Sequence, residues 1–188
     1  ISLRYVFILF FVSLLNFDMF VIGEINLAAV WGFILSIIEI NNKKIGADNS
    51  VYIIAEIGIN HQGDFDLMKE MMIAAKGCGV DYIKSQKREP KVCLTEEQYA
   101  RPYDSPHSFG KTYGEHKENL EISLIQWKEL FKFADEIGVK MFMSVFDNVS
   151  ANKMNDLGVE LFKIGSAEVT KLDLLEEVKS FGKPIILS

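Results

Sequence analysis

The residues with the clearest chemical potential are two lysines that interrupt short apolar segments. Lys84 lies in the segment Tyr-Ile-Lys-Ser-Gln, and Lys163 lies in Leu-Phe-Lys-Ile-Gly-Ser. Burying an unpaired ammonium group is costly, so each lysine needs an anion or must lose its proton. A neighbouring carboxylate, Glu56 or Glu168, could satisfy one lysine. Two lysines at matching positions of neighbouring units favour a bound phosphate or carboxylate.

Further polar side chains come at the ends of the apolar segments: Glu56, Gln86, Ser144, Ser166 and Ser188. Side chains alternate along a strand, so Lys84 and Gln86 share one face. If Phe162 and Ile164 pack under helices, Lys163 points the opposite way. The serines, with the start of the following helix, would add hydrogen-bond donors to a phosphate.

A second cluster of polar groups follows the first apolar segment. The run Glu-Ile-Gly-Ile-Asn-His-Gln-Gly, residues 56–63, places a carboxylate, an amide and an imidazole within six positions. Its glycines allow the backbone to approach a ligand closely. Asn60 and His61 are therefore candidate ligand contacts. For His61 a loop histidine that caps or orients its neighbours is an equally good interpretation.

A long insertion, about Lys87–Leu120, separates the second apolar segment from its helix. It is dense in polar, aromatic and glycine residues, which is typical of a binding loop, although a solvated surface loop is the alternative. His107 and His116 lie nine positions apart without a metal-binding pattern, so neither is expected to be a ligand.

These residues must be positioned by a repeated unit, in which a helix ends at a glycine and a short apolar strand follows. Capping signals predict helix starts at Asp64, at Ser123 with Gln126, at Asn148, and at Thr170 with Asp173. The predicted strands are Val51–Glu56, Tyr82–Gln86, Met141–Phe146, Leu161–Ser166 and Pro184–Ser188.

Alternating strands and helices predict an α/β protein with a parallel sheet. A complete (β/α)8 TIM barrel takes about 250 residues, so residues 38–188 would supply its first five strands, preceded by a β-hairpin over Ile38–Gly46. The alternative is an open doubly wound sheet, but no Gly-x-Gly-x-x-Gly follows the first strand. In the barrel, the polar strand ends would meet at the catalytic rim.

Composition limits the class of protein. The chain has 188 residues with 26 acidic and 20 basic side chains, a net charge of −6, and 49% hydrophobic residues. This is globular rather than disordered composition. An acidic chain without a basic block is a poor nucleic-acid binder. Cys78 and Cys93 lack CxxC spacing, which excludes a disulfide scaffold and favours a reducing compartment, here the cytoplasm.

Residues 1–37 differ from the rest, because 27 of them are apolar. They are interpreted as a signal or anchor, as a hydrophobic tail of another element, or as translated sequence upstream of the true start, and we favour the last. The chain begins with Ile1 and ends on an apolar run before Ser188. We therefore expect a fragment of a longer protein, with residues 1–37 as a leader or non-domain segment.

From about Ile38 onward, the sequence resembles the sialic acid synthase (N-acetylneuraminate synthase) family. The matching motifs are Ala55–Asp64, Ile83–Arg88, Arg101–Lys117, Phe162–Ser166 and Gly182–Ser188. The third of these is especially similar to the animal-type enzyme. One departure is Ser144-Val145-Phe146, where many members have Thr-Pro-Phe.

The resemblance implies a TIM-barrel synthase that condenses phosphoenolpyruvate with N-acetylmannosamine, its 6-phosphate or a related N-acyl hexosamine. The implied phosphoenolpyruvate contacts are Lys84, Ser144, Lys163, Ser166 and Ser188. The implied catalytic residues are Glu56, Lys84, Gln86, Lys163 and Glu168. Sugar contacts are expected at Asn60, His61 and Tyr113. A homodimer and a divalent cation, Mn²⁺ or Mg²⁺, are also implied.

The metal-binding histidines of the family lie on later strands, and an arginine comes from a C-terminal antifreeze-like domain of a partner subunit. Neither falls within these 188 residues, so we expect no metal ligand here and no synthase activity from this polypeptide alone. Two rival interpretations are a pyruvate-dependent Schiff-base aldolase that uses Lys84 or Lys163, and an inactive membrane-tethered binding fragment.

Overall fold

The computed structural model describes residues 5–7, 38–40, 43–45 and 49–188. The described strands are β1 (Tyr5–Phe7), β2 (Ile38–Ile40), β3 (Lys43–Ile45), β4 (Ile54–Gly58), β5 (Tyr82–Lys87), β6 (Lys140–Val145), β7 (Phe162–Ile164) and β8 (Ile185–Leu187). The described helices are α1 (Phe65–Gly77), α2 (Pro90–Cys93), α3 (Glu96–Ala100), α4 (Tyr113–Asn119), α5 (Leu124–Glu136), α6 (Asn148–Asp156) and α7 (Leu172–Ser180).

The strands β4 to β8 form a parallel sheet in chain order, with β1 added beside β8. Each connection between neighbouring strands of this series passes through at least one helix, as the repeated sequence unit predicts. All five predicted strands are present, with bounds shifted by a few residues. Parallel order aligns their carboxyl ends along one edge, where Glu56, Lys84, Ser144 and Lys163 are brought close together.

The two faces of this sheet have different chemistry. Ile83, Met143 and Phe162 belong to the buried core, which includes Trp127 and Leu130 of α5. Lys84, Ser144 and Lys163 alternate with these residues and project to the opposite face. The predicted placement of Phe162 and Ile164 in the core, and of Lys163 away from it, is confirmed.

Side-chain caps define most of the main helix starts. Asp64 caps α1, and Ser123 with Gln126 forms the predicted capping box of α5. The cap of α6 is Asp147, one residue before the predicted Asn148. The prediction for Thr170 is wrong, because Lys171 precedes α7 and makes no side-chain capping bond.

The chain divides into two compact units, one of residues 1–7 and 53–188 and one of residues 8–52. In the second unit, β2 and β3 pair antiparallel, which confirms the predicted hairpin strands. The predicted hydrophobic segment 1–37 lies outside the described residues, apart from β1. Within the described part of the chain, no helix has the length and apolar character needed to cross a bilayer.

Candidate anion-binding site

Lys84 is the centre of the polar cluster at the carboxyl end of the sheet. It lies on β5 with 9% of its surface exposed, and its Nζ donates to Ser144 Oγ at 3.0 Å. Nζ also forms an ion pair with Glu56 Oε2, and the Glu56 side chain is 54% exposed. The aliphatic part of Lys84 is therefore buried, while its ammonium group faces partners at the exposed edge of the sheet.

Lys163 joins this cluster from β7. It pairs in register with Ser144 of β6, the residue whose hydroxyl contacts Lys84. Burial lowers the pKa of Lys163, the charge of Lys84 lowers it further, and Glu56 and Glu168 oppose both effects. Two ammonium groups and two carboxylates therefore interact electrostatically at this edge, where the ammonium group of Lys84 repels that of Lys163.

A backbone irregularity directs Glu56 toward Lys84. The pairing of β4 with β5 shifts between Glu56 and Gly58, and Gly58 adopts a φ of 59°. The buried Ser85 hydroxyl donates to the Gly58 carbonyl at 2.8 Å and holds this bulge in place. Ser85 did not stand out in the sequence, because its contact partner lies 27 positions away.

The other residues predicted at the carboxyl edge of the sheet lie at the ends of their strands or just after them. Gln86 pairs with Ser144 in register, and Ser166 is exposed just beyond β7. Ser188 is exposed and its N–H donates to the Ile164 carbonyl at 3.3 Å. Glu168 is buried in the turn after β7, and a Cβ at Gly165 would lie 2.9 Å from its Oε2.

The loop after β4 contains Asn60 and His61. Asn60 is exposed and its Nδ2 donates to the Ile57 carbonyl at 2.8 Å. His61 is 1% exposed, and its Nδ1 accepts from the Gly63 N–H at 3.1 Å. Burial lowers the pKa of His61 to about 4, against smaller opposing effects of Gly58 and Asp64. This is the geometry of a loop-orienting histidine, and a sugar contact at either residue stays a prediction.

The insertion folds into α2, α3 and α4. Tyr113, a predicted sugar contact, is the first residue of α4 and is half-buried. His116 is buried, and its Nδ1 accepts from the Phe109 N–H at 3.1 Å, while His107 is exposed. A tight contact joins the insertion to the β4–α1 loop, because a Cβ at Gly63 would lie 2.2 Å from the Asn119 carbonyl oxygen.

A buried ion pair on the other face of β5 was missed by the sequence reasoning. Lys87, on the core-side face of β5, donates to Glu121 Oε2 at 2.6 Å and to the Arg88 carbonyl at 2.9 Å. Burial raises the pKa of Glu121, and Lys87 opposes that rise. Strand alternation places Lys84 and Gln86 on one face of β5 and Lys87 on the other. This alternation is the sequence signal that could have shown that Lys87 does not belong to the rim cluster.

The cation expected from the family resemblance finds no donor set here. Among the described residues, no group of three or more His, Cys, Asp or Glu side chains is arranged to hold a metal ion. Mn²⁺ or Mg²⁺ therefore stays a prediction, with ligands expected beyond these residues.

A parallel sheet packed against helices, with two lysines and two carboxylates at its carboxyl edge, defines an α/β protein with a charged rim. Within that class, the chain belongs to the NeuB family, which matches residues 71–188. This confirms the family resemblance seen in the sequence.

Individual relatives agree with the family assignment. The chain is 43% identical over 144 residues to N-acetylneuraminate-9-phosphate synthase of Mus musculus, and 42% identical over 144 residues to the Homo sapiens protein of that name. These matches cover 77% of this chain and 40% of each relative, so the chain spans less than half of their length.

Among solved protein structures, a sialic acid synthetase has the same fold. This is the N-acetylneuraminic acid synthetase of Leptospira borgpetersenii, with a TM-score of 0.66 and 28% identity over 81% of this chain and 49% of that one. The described sheet is therefore part of a TIM barrel, and the predicted fold class is confirmed.

Proposed function

We propose that this chain supplies the phosphoenolpyruvate-binding part of a synthase that condenses phosphoenolpyruvate with an N-acyl hexosamine. The observation that carries the proposal is the Lys84–Ser144–Lys163 cluster on the inner face of the sheet. Phosphoenolpyruvate has a phosphate and a carboxylate on three carbons, so two neighbouring ammonium groups supply one cationic partner for each of its two anionic groups. Relatives named as synthases of N-acetylneuraminate 9-phosphate support the same reaction class.

In this reaction C3 of phosphoenolpyruvate attacks the aldehyde carbon of the open-chain sugar, forming the new C–C bond. The aldehyde oxygen takes up a proton and becomes a hydroxyl group, and water adds at C2 with release of a proton. The bond from C2 to the phosphate oxygen then breaks, inorganic phosphate leaves, and C2 becomes a ketone. Lys84, Lys163 and Ser144 hold the anionic groups, with Ser166 and Ser188 adding hydrogen bonds from the same edge. Glu56 is the half-exposed carboxylate beside Lys84 and is suited to take the proton released by the water. Gln86 and Glu168 order the surrounding site.

The names of the mammalian relatives favour a phosphorylated sugar. Joining three carbons of phosphoenolpyruvate to the first carbon of a hexosamine makes C6 of the sugar C9 of the product. A 9-phosphate product therefore requires a hexosamine 6-phosphate. We include in the proposal a cytoplasmic location, a homodimer and a divalent cation in the full-length enzyme.

Calorimetric titration of the 188-residue protein with phosphoenolpyruvate tests the proposal. We expect saturable binding, and pyruvate to bind at least about tenfold more weakly because it lacks the phosphate. The Lys84→Gln variant should lose most of the phosphoenolpyruvate affinity while still unfolding cooperatively. Equal affinity for pyruvate and phosphoenolpyruvate would contradict the proposal.

The rival interpretations have their own readouts. A Schiff-base aldolase would be trapped as a covalent adduct by borohydride in the presence of pyruvate, whereas the anion site predicts no adduct. A membrane-tethered fragment predicts that deleting residues 1–37 increases solubility, and equal solubility with and without them would exclude it. Phosphate release above the no-enzyme control, with both substrates, would overturn the expectation that this polypeptide alone is inactive.

A further inference from the structure

A cationic aromatic surface lies on the insertion and shares no residue with the lysine cluster. Arg101 Cζ lies 5.6 Å and Lys117 Nζ lies 5.0 Å from the centroid of the Tyr113 ring. Arg101 is exposed, and Tyr113 and Lys117 are half-buried. We refer to Arg101, Tyr113 and Lys117 as the Tyr113 platform.

The platform carries positive charge that nearby acids leave uncompensated. Among the described residues, neither Arg101 nor Lys117 forms a salt bridge. The acids on α4 are engaged elsewhere. Glu115 accepts from the backbone N–H groups of Lys111 and Thr112, and Glu118 pairs with Lys91 at 3.0 Å. An anionic ligand is the missing partner that this arrangement would accept.

The platform is preorganised by its backbone. The Tyr113 N–H donates to the Arg101 carbonyl at 2.9 Å, and the Tyr103 N–H donates to the Lys111 carbonyl at 3.0 Å. Thr112 and Glu115 form a capping box at the start of α4. The Tyr113 ring lies over the buried His116, with ring centroids 6.4 Å apart. The backbone that carries Arg101 and Tyr113 therefore has little conformational freedom left to lose when a ligand binds.

The platform is connected to the catalytic edge of the sheet. Its helix α4 ends at Asn119, whose carbonyl packs against Gly63 in the loop that follows β4. The same β4 carries Glu56, the partner of Lys84. An elongated ligand that reaches from the lysine cluster toward the insertion would run along this edge.

We propose that the Tyr113 platform binds the phosphate end of a phosphorylated N-acyl hexosamine. Arg101 and Lys117 pair with the phosphate oxygens, and the Tyr113 ring, over which both cations lie, holds them in place. This inference rests on the proposed function and deepens it. It assigns to Arg101 and Lys117 the discrimination between a hexosamine 6-phosphate and the unphosphorylated sugar.

The test compares three ligands on the 188-residue protein by calorimetry: N-acetylmannosamine 6-phosphate, N-acetylmannosamine and phosphoenolpyruvate. In the double variant Arg101→Gln, Lys117→Gln, affinity for the sugar phosphate should fall by about tenfold or more, because two charge-assisted contacts are lost. Affinities for phosphoenolpyruvate and for the unphosphorylated sugar should change less than about twofold. Lys128→Gln, which removes an exposed charge on α5, is the matched control.

The outcomes separate the two proposals. Equal binding of both sugars by the unsubstituted chain, no binding of the sugar phosphate, or equal affinity in the double variant would each overturn the platform assignment. Binding of inorganic phosphate as tightly as the sugar phosphate would also overturn it. Failure of the unsubstituted chain to bind phosphoenolpyruvate would instead contradict the proposed function, whatever the sugar phosphate does.

Discussion

Lys84 and Lys87 lie three positions apart on β5, and both are buried, yet they face opposite sides of the sheet. Lys84 projects to the inner face, where its partners are the Ser144 hydroxyl and the half-exposed carboxylate of Glu56. Lys87 projects to the core side, where Glu121, with 11% of its side chain exposed, closes the contact at 2.6 Å.

The difference shows what distinguishes a binding lysine from a structural one. Lys87 has a buried carboxylate partner at 2.6 Å, so its charge is compensated within the fold. Lys84 has a partner that faces the open edge, and Lys163 brings a second ammonium group that its neighbours only partly offset. Burial of a lysine alone indicates neither role, whereas the exposure of its partners does.

The largest effect is expected from breaking the structural pair. Glu121→Leu leaves the Lys87 ammonium buried without its carboxylate, which costs about 3–5 kcal/mol of unfolding free energy. Denaturant unfolding measures this loss. The control is Asp135→Asn, which removes an exposed partner of Lys140 and should cost at most about 1 kcal/mol. Similar losses for the two variants would mean that the buried pair has no special structural role.

Removing a lysine at the edge of the sheet should have the opposite effects, with no loss of stability and a large loss of ligand affinity. Lys163→Met keeps the apolar stem but removes a charge that Lys84 repels, so the unfolding free energy should stay the same or rise. Affinity for phosphoenolpyruvate should fall about 100-fold, which is about 2.7 kcal/mol. Calorimetry and denaturant unfolding on one preparation separate the two quantities. A stability loss as large as that of Glu121→Leu would place Lys163 with the structural lysines.

A smaller, pH-dependent effect is expected from His61. Its folded pKa of about 4 lies below the unfolded value of 6.5, so between these values the unfolded chain binds more protons. Stability attributable to His61 is therefore lost as the pH falls from about 6.5 to about 4, by about 2–3 kcal/mol. His61→Asn does not titrate there, and Asn can still accept from the Gly63 N–H. Its unfolding free energy should vary less with pH over this window, and an unchanged slope would disprove the effect.

The smallest effect is expected from Gly58→Ala. At a φ of 59° an alanine is strained by about 1 kcal/mol, and its Cβ would lie 3.3 Å from Glu56 Oε1. We expect that loss in unfolding free energy and a two- to threefold loss of phosphoenolpyruvate affinity, roughly, through the displaced carboxylate. Gly77→Ala has no positive φ and no atom within 4 Å of the new Cβ, so it should not lower stability. Equal behaviour of the two variants would show that the bulge does not position Glu56.

Local patterns predicted much of the fold and the lysine cluster. Glycine-bounded apolar segments located the strands, and their alternation put Lys84 and Lys163 on the face away from Phe162. The Lys87–Glu121 pair joins residues 34 positions apart, which no local pattern reveals. The sequence left two roles open for His61, a ligand contact and a loop-orienting residue, because its burial depends on tertiary packing that places it beside Trp127.

The central claim is that Lys84 and Lys163 hold the anionic groups of phosphoenolpyruvate, while Lys87 is a structural residue. The most direct test records the side-chain ¹⁵Nζ signals of lysine in the labelled 188-residue protein during titration with phosphoenolpyruvate, with assignments from single-lysine variants. We predict that the Lys84 and Lys163 signals shift together and saturate, while the Lys87 signal stays in place. Unchanged signals from Lys84 and Lys163, or an equal shift of all three, would contradict the claim.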